Sequence, residues 1–369
     1  MKIGNIYSAS DKALFDALCQ GNVTSADIRR LFLTHGIIIS RSTNRRELAA
    51  HFSRLVHDYD DFQALAKLFD AGHRRERLAS LRVTSTAQLA DYESAALEIV
   101  AQLKSNTDAA SVSKNDDGSI RIAIRYKTFH FNKSEFRQIE TRDAIITIEK
   151  DGGTAVIRGP QNDKVDEVCR AILTTIKEKV DDKLDITEIN LEHFREPMQR
   201  TTFFVQMIDL VHGYKKHDVT DVYFYKPKDE KAKEQDEDDG STESEDDINL
   251  GIRITSGMLK GEGVLASQEM SNFISRGFYI SKIVWQAKVA GEFDSDIYEF
   301  EAQFSEPETC TRFSYLVRGH YKYQEDQKHS NTRTQLASDE DVELSKAIET
   351  AARTSLNKLE IAAGVANND

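Results

Sequence analysis

A chain of 369 residues, 39% hydrophobic and 30% charged, has the composition of a globular protein of two or three domains. No stretch approaches the roughly 18 apolar residues of a membrane helix, and the first residues lack the apolar core of a signal peptide. Cys19, Cys169 and Cys310 are too scattered for a disulfide framework or a cysteine zinc site, so a cytoplasmic protein with reduced thiols and no membrane segment is expected. The formal net charge of −13 is uneven: residues 1–82 hold 13 Lys and Arg against 9 Asp and Glu, with His35, His51, His57 and His73 in addition. A net +4 at this end, against −17 for the remainder, points to an anionic partner.

In chain order, a first helix is capped by Ser10, places Leu14, Phe15 and Leu18 on one face and ends at Gly21. Thr24 caps a second, with Asp27 at the capping-box position, Ile28, Leu31 and Phe32 at helical spacing, and Gly36 as its left-handed stop. Residues 37–43 are β-branched or polar and suit an extended loop. Asn44 then caps a third helix with Glu47 in its first turn and Leu48, Phe52, Leu55 and Val56 as its apolar stripe. A fourth helix, capped by Asp60 or Asp61, carries Phe62, Leu65, Leu68 and Phe69. Residues 71–82 read as a basic connector. A helix over residues 86–103 has a short heptad-like seam of Leu89, Tyr92, Ala96, Val100 and Leu103, a candidate packing or homo-oligomer face, and residues 104–118 read as a flexible linker.

From Ser119 the period becomes strand-like: Ile120, Ile122, Ile124 and Tyr126 alternate with Arg121, Arg125 and Lys127. A hairpin around Asp151, Gly152 and Gly153 follows, then helices over residues 163–180 and from Pro197 to Gly213. Residues 228–247 hold 11 acids and 3 lysines without an apolar anchor, and are expected to be a disordered insertion between strands, the second near residues 250–254. After a glycine-rich loop and a helix over residues 266–275, three strands over residues 278–289, 296–304 and 311–323 suggest an antiparallel meander, and a helix over residues 341–363 ends the pattern. The expected class is α+β: a helical module over residues 1–82, a helix and linker over 83–118, an α+β domain over 119–336 and a terminal helix with its tail over 337–369.

The segment T-S-A-D-I-R-R-L-F-L-T-H-G-I, the loop after it, and N-R-R-E-L-A-A-H-F-S-R-L resemble the helix-extended loop-helix modules of the SAP and LEM families. The likeness covers residues 23–55, and the loop lacks the Gly-x-Lys element common in SAP modules. The SAP resemblance implies contact with the DNA backbone, and the basic and polar residues here are Arg29, Arg30, Arg41, Ser42, Thr43, Asn44, Arg45, Arg46 and Arg54. The LEM resemblance implies a protein partner instead. An ordinary helical hairpin with a solvated basic face accounts for the same letters.

Catalytic motifs are weaker. Gly261-Glu-Gly263-Val-Leu-Ala266 matches the letters of a dinucleotide loop, but no acidic residue follows in the next strand to hold a ribose, so permissive glycines are the better account. Asp296 with Glu301-Ala-Gln303 resembles the Asp…Glu-x-Lys site of one nuclease class, with Gln in place of Lys. Alternation of Glu299, Glu301 and Gln303 with aromatic residues, opposite a strand bearing Arg312, Arg318, His320 and Lys322, instead suggests cross-strand ion pairs. No catalytic residue, cofactor or metal site is expected. The readings in order are a DNA-binding protein without sequence preference, a protein-interaction scaffold, and a metal-dependent nuclease.

Overall fold

The computed structural model describes residues 10–20, 23–69, 75–105, 109–131, 136, 139–227, 255–325 and 328–364. Gly21, the acidic insertion of residues 228–247 and the strand expected near residues 250–254 lie outside them. The chain is α+β, and it forms two compact units that interleave along the sequence. The first comprises Met1–Arg75, Ala96–Ser113 and Arg121–Ile145, and the second Glu76–Ala95, Lys114–Ile120 and Ile146–Asp369. These units do not follow the contiguous division expected at residues 82, 118 and 336. No helix among the described residues is long and apolar enough to cross a membrane.

Local capping chemistry writes most of the first unit. Helix α1 (Asp11–Leu18) starts where the Ser10 hydroxyl accepts from the Ala13 N–H. In α2 (Ser25–Thr34) the capping box is complete: Thr24 accepts from the Asp27 N–H while Asp27 accepts from that of Thr24. Gly36, at φ +70°, ends it. Asn44 caps α3 (Arg45–Phe52) through the Glu47 N–H. The cap of α4 (Tyr59–Phe69) is neither Asp60 nor Asp61 but Asp58, whose carboxylate accepts from the Asp61 N–H. The four helices enclose Leu14, Leu18, Ile28, Phe32, Leu48, Phe52 and Leu65, and Phe136 stacks on Phe62 to complete that core. Val56 is not part of the stripe: α3 has already ended, and its side chain is 92% exposed.

Two segments read as connectors contain strands. Strand β1 (Leu78–Thr84) begins within the basic stretch of residues 71–82 and runs two residues beyond it. Strand β2 (Ala109–Lys114) lies within the supposed linker; only its Ala110 is buried, too little apolar signal to announce a strand. It precedes β3 (Ile120–Phe129) and β4 (Ile139–Asp151) in sheet order. Between them in sequence and β1 lies α5 (Leu89–Ser105), with Tyr92, Ala96, Val100 and Leu103 buried.

In the second unit the two-residue turn Gly152-Gly153 joins β4 to β5 (Thr154–Pro160), with Asp151 opposite Thr154. Strand β1 pairs antiparallel with β5 along its whole length, and also with the short β6 (Asp185–Glu188). The remaining strands are β7 (Tyr214–Tyr225), β8 (Ser256–Lys260), β9 (Tyr279–Val289), β10 (Ile297–Glu306) and β11 (Thr311–Tyr321). They lie in the order β5-β1-β11-β10-β9-β7-β8, so the expected meander of β9 to β11 sits in the middle of the sheet. Helix α6 (Asp163–Lys179) buries Val165, Cys169, Ile172 and Ile176. Helices α7 (Pro197–Asp209) and α9 (Ser338–Ala362) join the main core with Trp285, Phe300 and Tyr315, and α8 (Gln268–Ser275) follows a 3-10 turn.

Candidate nucleic-acid interface

The basic residues of the helical module divide into two groups by what their guanidinium groups touch. Arg29, on α2, donates to the carbonyls of Arg41 and Thr43, each at 2.9 Å, and also to Ser25. It pins the extended loop to the helix before it. Arg45, at the start of α3, donates to the carbonyls of Leu18 and Gln20, where α1 ends with acceptors that the helix itself leaves unpaired. Of the arginines named above for the DNA backbone, Arg29 and Arg45 therefore spend guanidinium hydrogen bonds on holding the module together. Arg30, Arg41, Arg46 and Arg54 are exposed. Arg30 lies close enough to Asp27 to help hold its carboxyl below the usual range, although the Thr24 hydrogen bonds contribute more.

The loop alternates, with Ile37 and Ile39 against the core and Ile38 outward at 87% exposure. It then turns, the Thr43 N–H donating to the Ser40 carbonyl at 3.2 Å and the hydroxyls of Ser40 and Ser42 lying 2.8 Å apart. Ser42 and Asn44 are exposed and Thr43 half-buried, while the Asn44 side-chain oxygen is committed to its cap.

The carboxylates of β10 are enclosed by cations rather than presented to a ligand. Glu301, 1% exposed, lies against Arg77, against Lys282 at 2.9 Å and against Arg318 at 3.7 Å. Burial alone raises its carboxyl, but Lys282 and Arg77 outweigh burial and hold it below the usual carboxylate range. Glu299 is bound by Arg333, by Arg318 at 3.1 Å and by the Tyr321 hydroxyl at 3.0 Å. Asp296 instead accepts from the Tyr323 N–H at 2.7 Å. Each carboxylate thus has protein partners, the arrangement expected of cross-strand and cross-element pairs. In the glycine loop, Gly261 and Gly263 adopt φ of +144° and +68°, and the Gly263 N–H is held by Asp218 at 3.0 Å, which removes a donor that a pyrophosphate would need.

A second buried network had no sequence signal. Glu349 of α9 meets Arg158 of β5, Arg353 at 3.1 Å and the Tyr315 hydroxyl at 3.3 Å. Arg158 also bonds Glu149 at 2.7 Å, and Lys346 reaches the same glutamate. Among the described residues, one group of side chains can hold a metal ion, and it is again in the helical module: His35, His57 and Asp61. Their spacing in sequence matches no motif singled out above.

The chain matches no protein-family model, and no curated protein matches it.

Proposed function

We propose that the helical module binds duplex DNA through its phosphate backbone, without sequence preference. The observation that carries this reading is a loop fixed by Arg29 with the exposed Arg41 within it and Arg30 and Arg46 on the helices that flank it. Arg54, beyond α3, adds a fourth exposed cation. The net positive charge of residues 1–82 and the likeness to SAP modules support the same partner. Ser42, Thr43 and Asn44 supply polar positions beside these cations, suited to positioning a backbone rather than reading bases. In this reading the second unit carries partner recognition or self-association.

Four arginines on phosphates give a slope of log affinity against log salt of about −3 to −4. Retention of a labelled duplex by the full chain, measured across a salt series, is the test. Arg41→Gln with Arg46→Gln should flatten the slope by about two units and weaken unrelated duplexes alike. Salt-insensitive retention, or none, would sink the reading.

A protein partner, as in LEM modules, is favoured by a different observation: Leu33, Ile38 and Val56 are exposed apolar side chains on the same module. Ile38→Ser with Val56→Ser leaves DNA retention intact under the first reading, whereas under the second it abolishes a partner complex that Arg41→Gln spares.

A further inference from the structure

His35 follows the last turn of α2, His57 precedes α4, and Asp61 stands in the first turn of α4. Two separate pieces of backbone, the end of α2 and the start of α4, thus converge on one point. The His35 Nε2 lies 3.1 Å from one Asp61 oxygen, and the His57 Nδ1 lies 3.7 Å from the other. One ligand atom from each residue falls within 4.8 Å of the others. Bonds of about 2.1 Å around a tetrahedral ion place neighbouring ligand atoms about 3.4 Å apart, so the set is close to a coordination shell without rearrangement of the backbone.

The hydrogen bonds around the cluster favour a cation over a simple ion pair. The His57 Nε2 lies 2.9 Å from the Phe52 carbonyl, which can only accept, so this nitrogen carries the hydrogen and Nδ1 is the ring nitrogen that faces the cluster and is left to bind a cation. Both the His57 Nδ1 and the His35 Nε2 are shielded from solvent and have no hydrogen-bond partner. Although the His35 nitrogen is near Asp61, the direction of approach is not that of a hydrogen bond. The carboxylate itself is aimed from outside, since its Oδ2 accepts from the Asp58 N–H at 3.2 Å while Asp58 accepts from the Asp61 N–H at 2.9 Å. Rings of Phe52, His35 and His57 pack edge to face or tilted, which fixes both imidazoles. Two buried imidazole nitrogens beside an oriented carboxylate, with outer partners on His57 and Asp61, are the parts of a metal site.

We infer that His35, His57 and Asp61 bind one divalent cation of the zinc class, tying the end of α2 to the start of α4. Imidazole and carboxylate ligands suit Zn2+ or Co2+ better than Mg2+ or Ca2+, which take oxygen donors. Three protein ligands leave one position of a tetrahedral ion for water. The inference is independent of the DNA reading.

The test uses the full chain, stripped with a chelator and then titrated with Zn2+ or Co2+. One equivalent should bind, Co2+ should show the visible absorption of a tetrahedral nitrogen–oxygen site, and the thermal midpoint should rise with zinc concentration. Asp61→Asn and His57→Gln should each weaken binding by more than the roughly 10–100-fold that loss of an outer partner costs. His51→Gln and Asp60→Asn, at exposed positions of the same module, should not change it. Should His57→Gln fail to fold, the near-isosteric Asp61→Asn decides. A chain whose midpoint and Co2+ spectrum ignore metal, or whose one-equivalent binding survives in folded Asp61→Asn, would overturn the inference and leave a shared proton holding the cluster.

Discussion

A methyl group at residue 319 would lie 2.3 Å from the carbonyl oxygen of Thr334, and the backbone there sits at φ +135°, where a side chain is strained regardless of space. Gly319 also stands opposite Glu299, next to the register shift between Glu299 and Phe300. The shift carries β10 past an irregular point in β11 while Glu299 keeps its grip on Arg318 and Arg333. Gly319→Ala should therefore destabilise the fold by about 2–3 kcal/mol in urea unfolding, because it adds both overpacking and an unfavourable φ. A loss under about 0.5 kcal/mol would mean that the segment bearing Thr334 moves aside at little cost. Residue-scale chemistry of the local kind was legible beforehand. Ser10, Thr24 and Asn44 cap the helices they were assigned, since a cap depends on residues three positions away. The Asp58 cap was missed because residues 58, 60 and 61 are all aspartate, and only the turn geometry separates them.

Among the elements, β1 is the instructive miss. Its neighbourhood is rich in arginine, and such composition reads as solvated chain. In the fold Arg77 meets Glu301, 224 residues away, and Arg353 donates to the Ser80 hydroxyl at 3.1 Å. A cation neutralised by a distant carboxylate leaves no local trace, so a central strand resembles a linker. The same ion pairs make stability depend on pH. Glu349 is pushed upward by burial, but Arg158 and Arg353 outweigh that and hold it below its ordinary value, as Lys282 and Arg77 hold Glu301. A carboxyl depressed in the folded state contributes fully above its unfolded value of about 4.3, and that contribution is lost as pH falls through the lower folded value. The thermal midpoint should accordingly be flat just above pH 5 and fall below about pH 4.3, and Glu349→Gln should lower the plateau while making the acid limb shallower. A parallel displacement of the whole curve would show that Glu349 does not titrate differently in the two states. The cluster of His35, His57 and Asp61 was equally hidden, for His57 and Asp61 stand four residues apart at the start of α4 while His35 comes from the end of α2, and only the fold brings the two together.

At the scale of the whole molecule, β7 and β8 are antiparallel neighbours with Tyr225 opposite Ser256, and the Lys226 N–H donates to the Thr255 carbonyl at 2.9 Å. Lys226 and Thr255, the residues on either side of the stretch that holds the acidic insertion, are therefore neighbours. Excising residues 228–254 and closing the hairpin with Asn-Gly should leave the midpoint unchanged or slightly raised, because a shorter loop costs less entropy to close. A clear drop in calorimetry would mean that the excised stretch supports the body. The removal also cancels much of the negative charge, so DNA retention at low salt should rise if the first functional reading holds. Phe136, which stacks on Phe62 and closes the core of the first four helices, has a further consequence. Those helices leave the ribosome before Phe136, the ring that completes their interior, has emerged. At about 5–20 residues added per second, the nascent bundle waits for seconds with an unfinished face. The module is thus not a cassette that recombination can lift out at its last helix, and a gene cut there inherits helices without their closing stone.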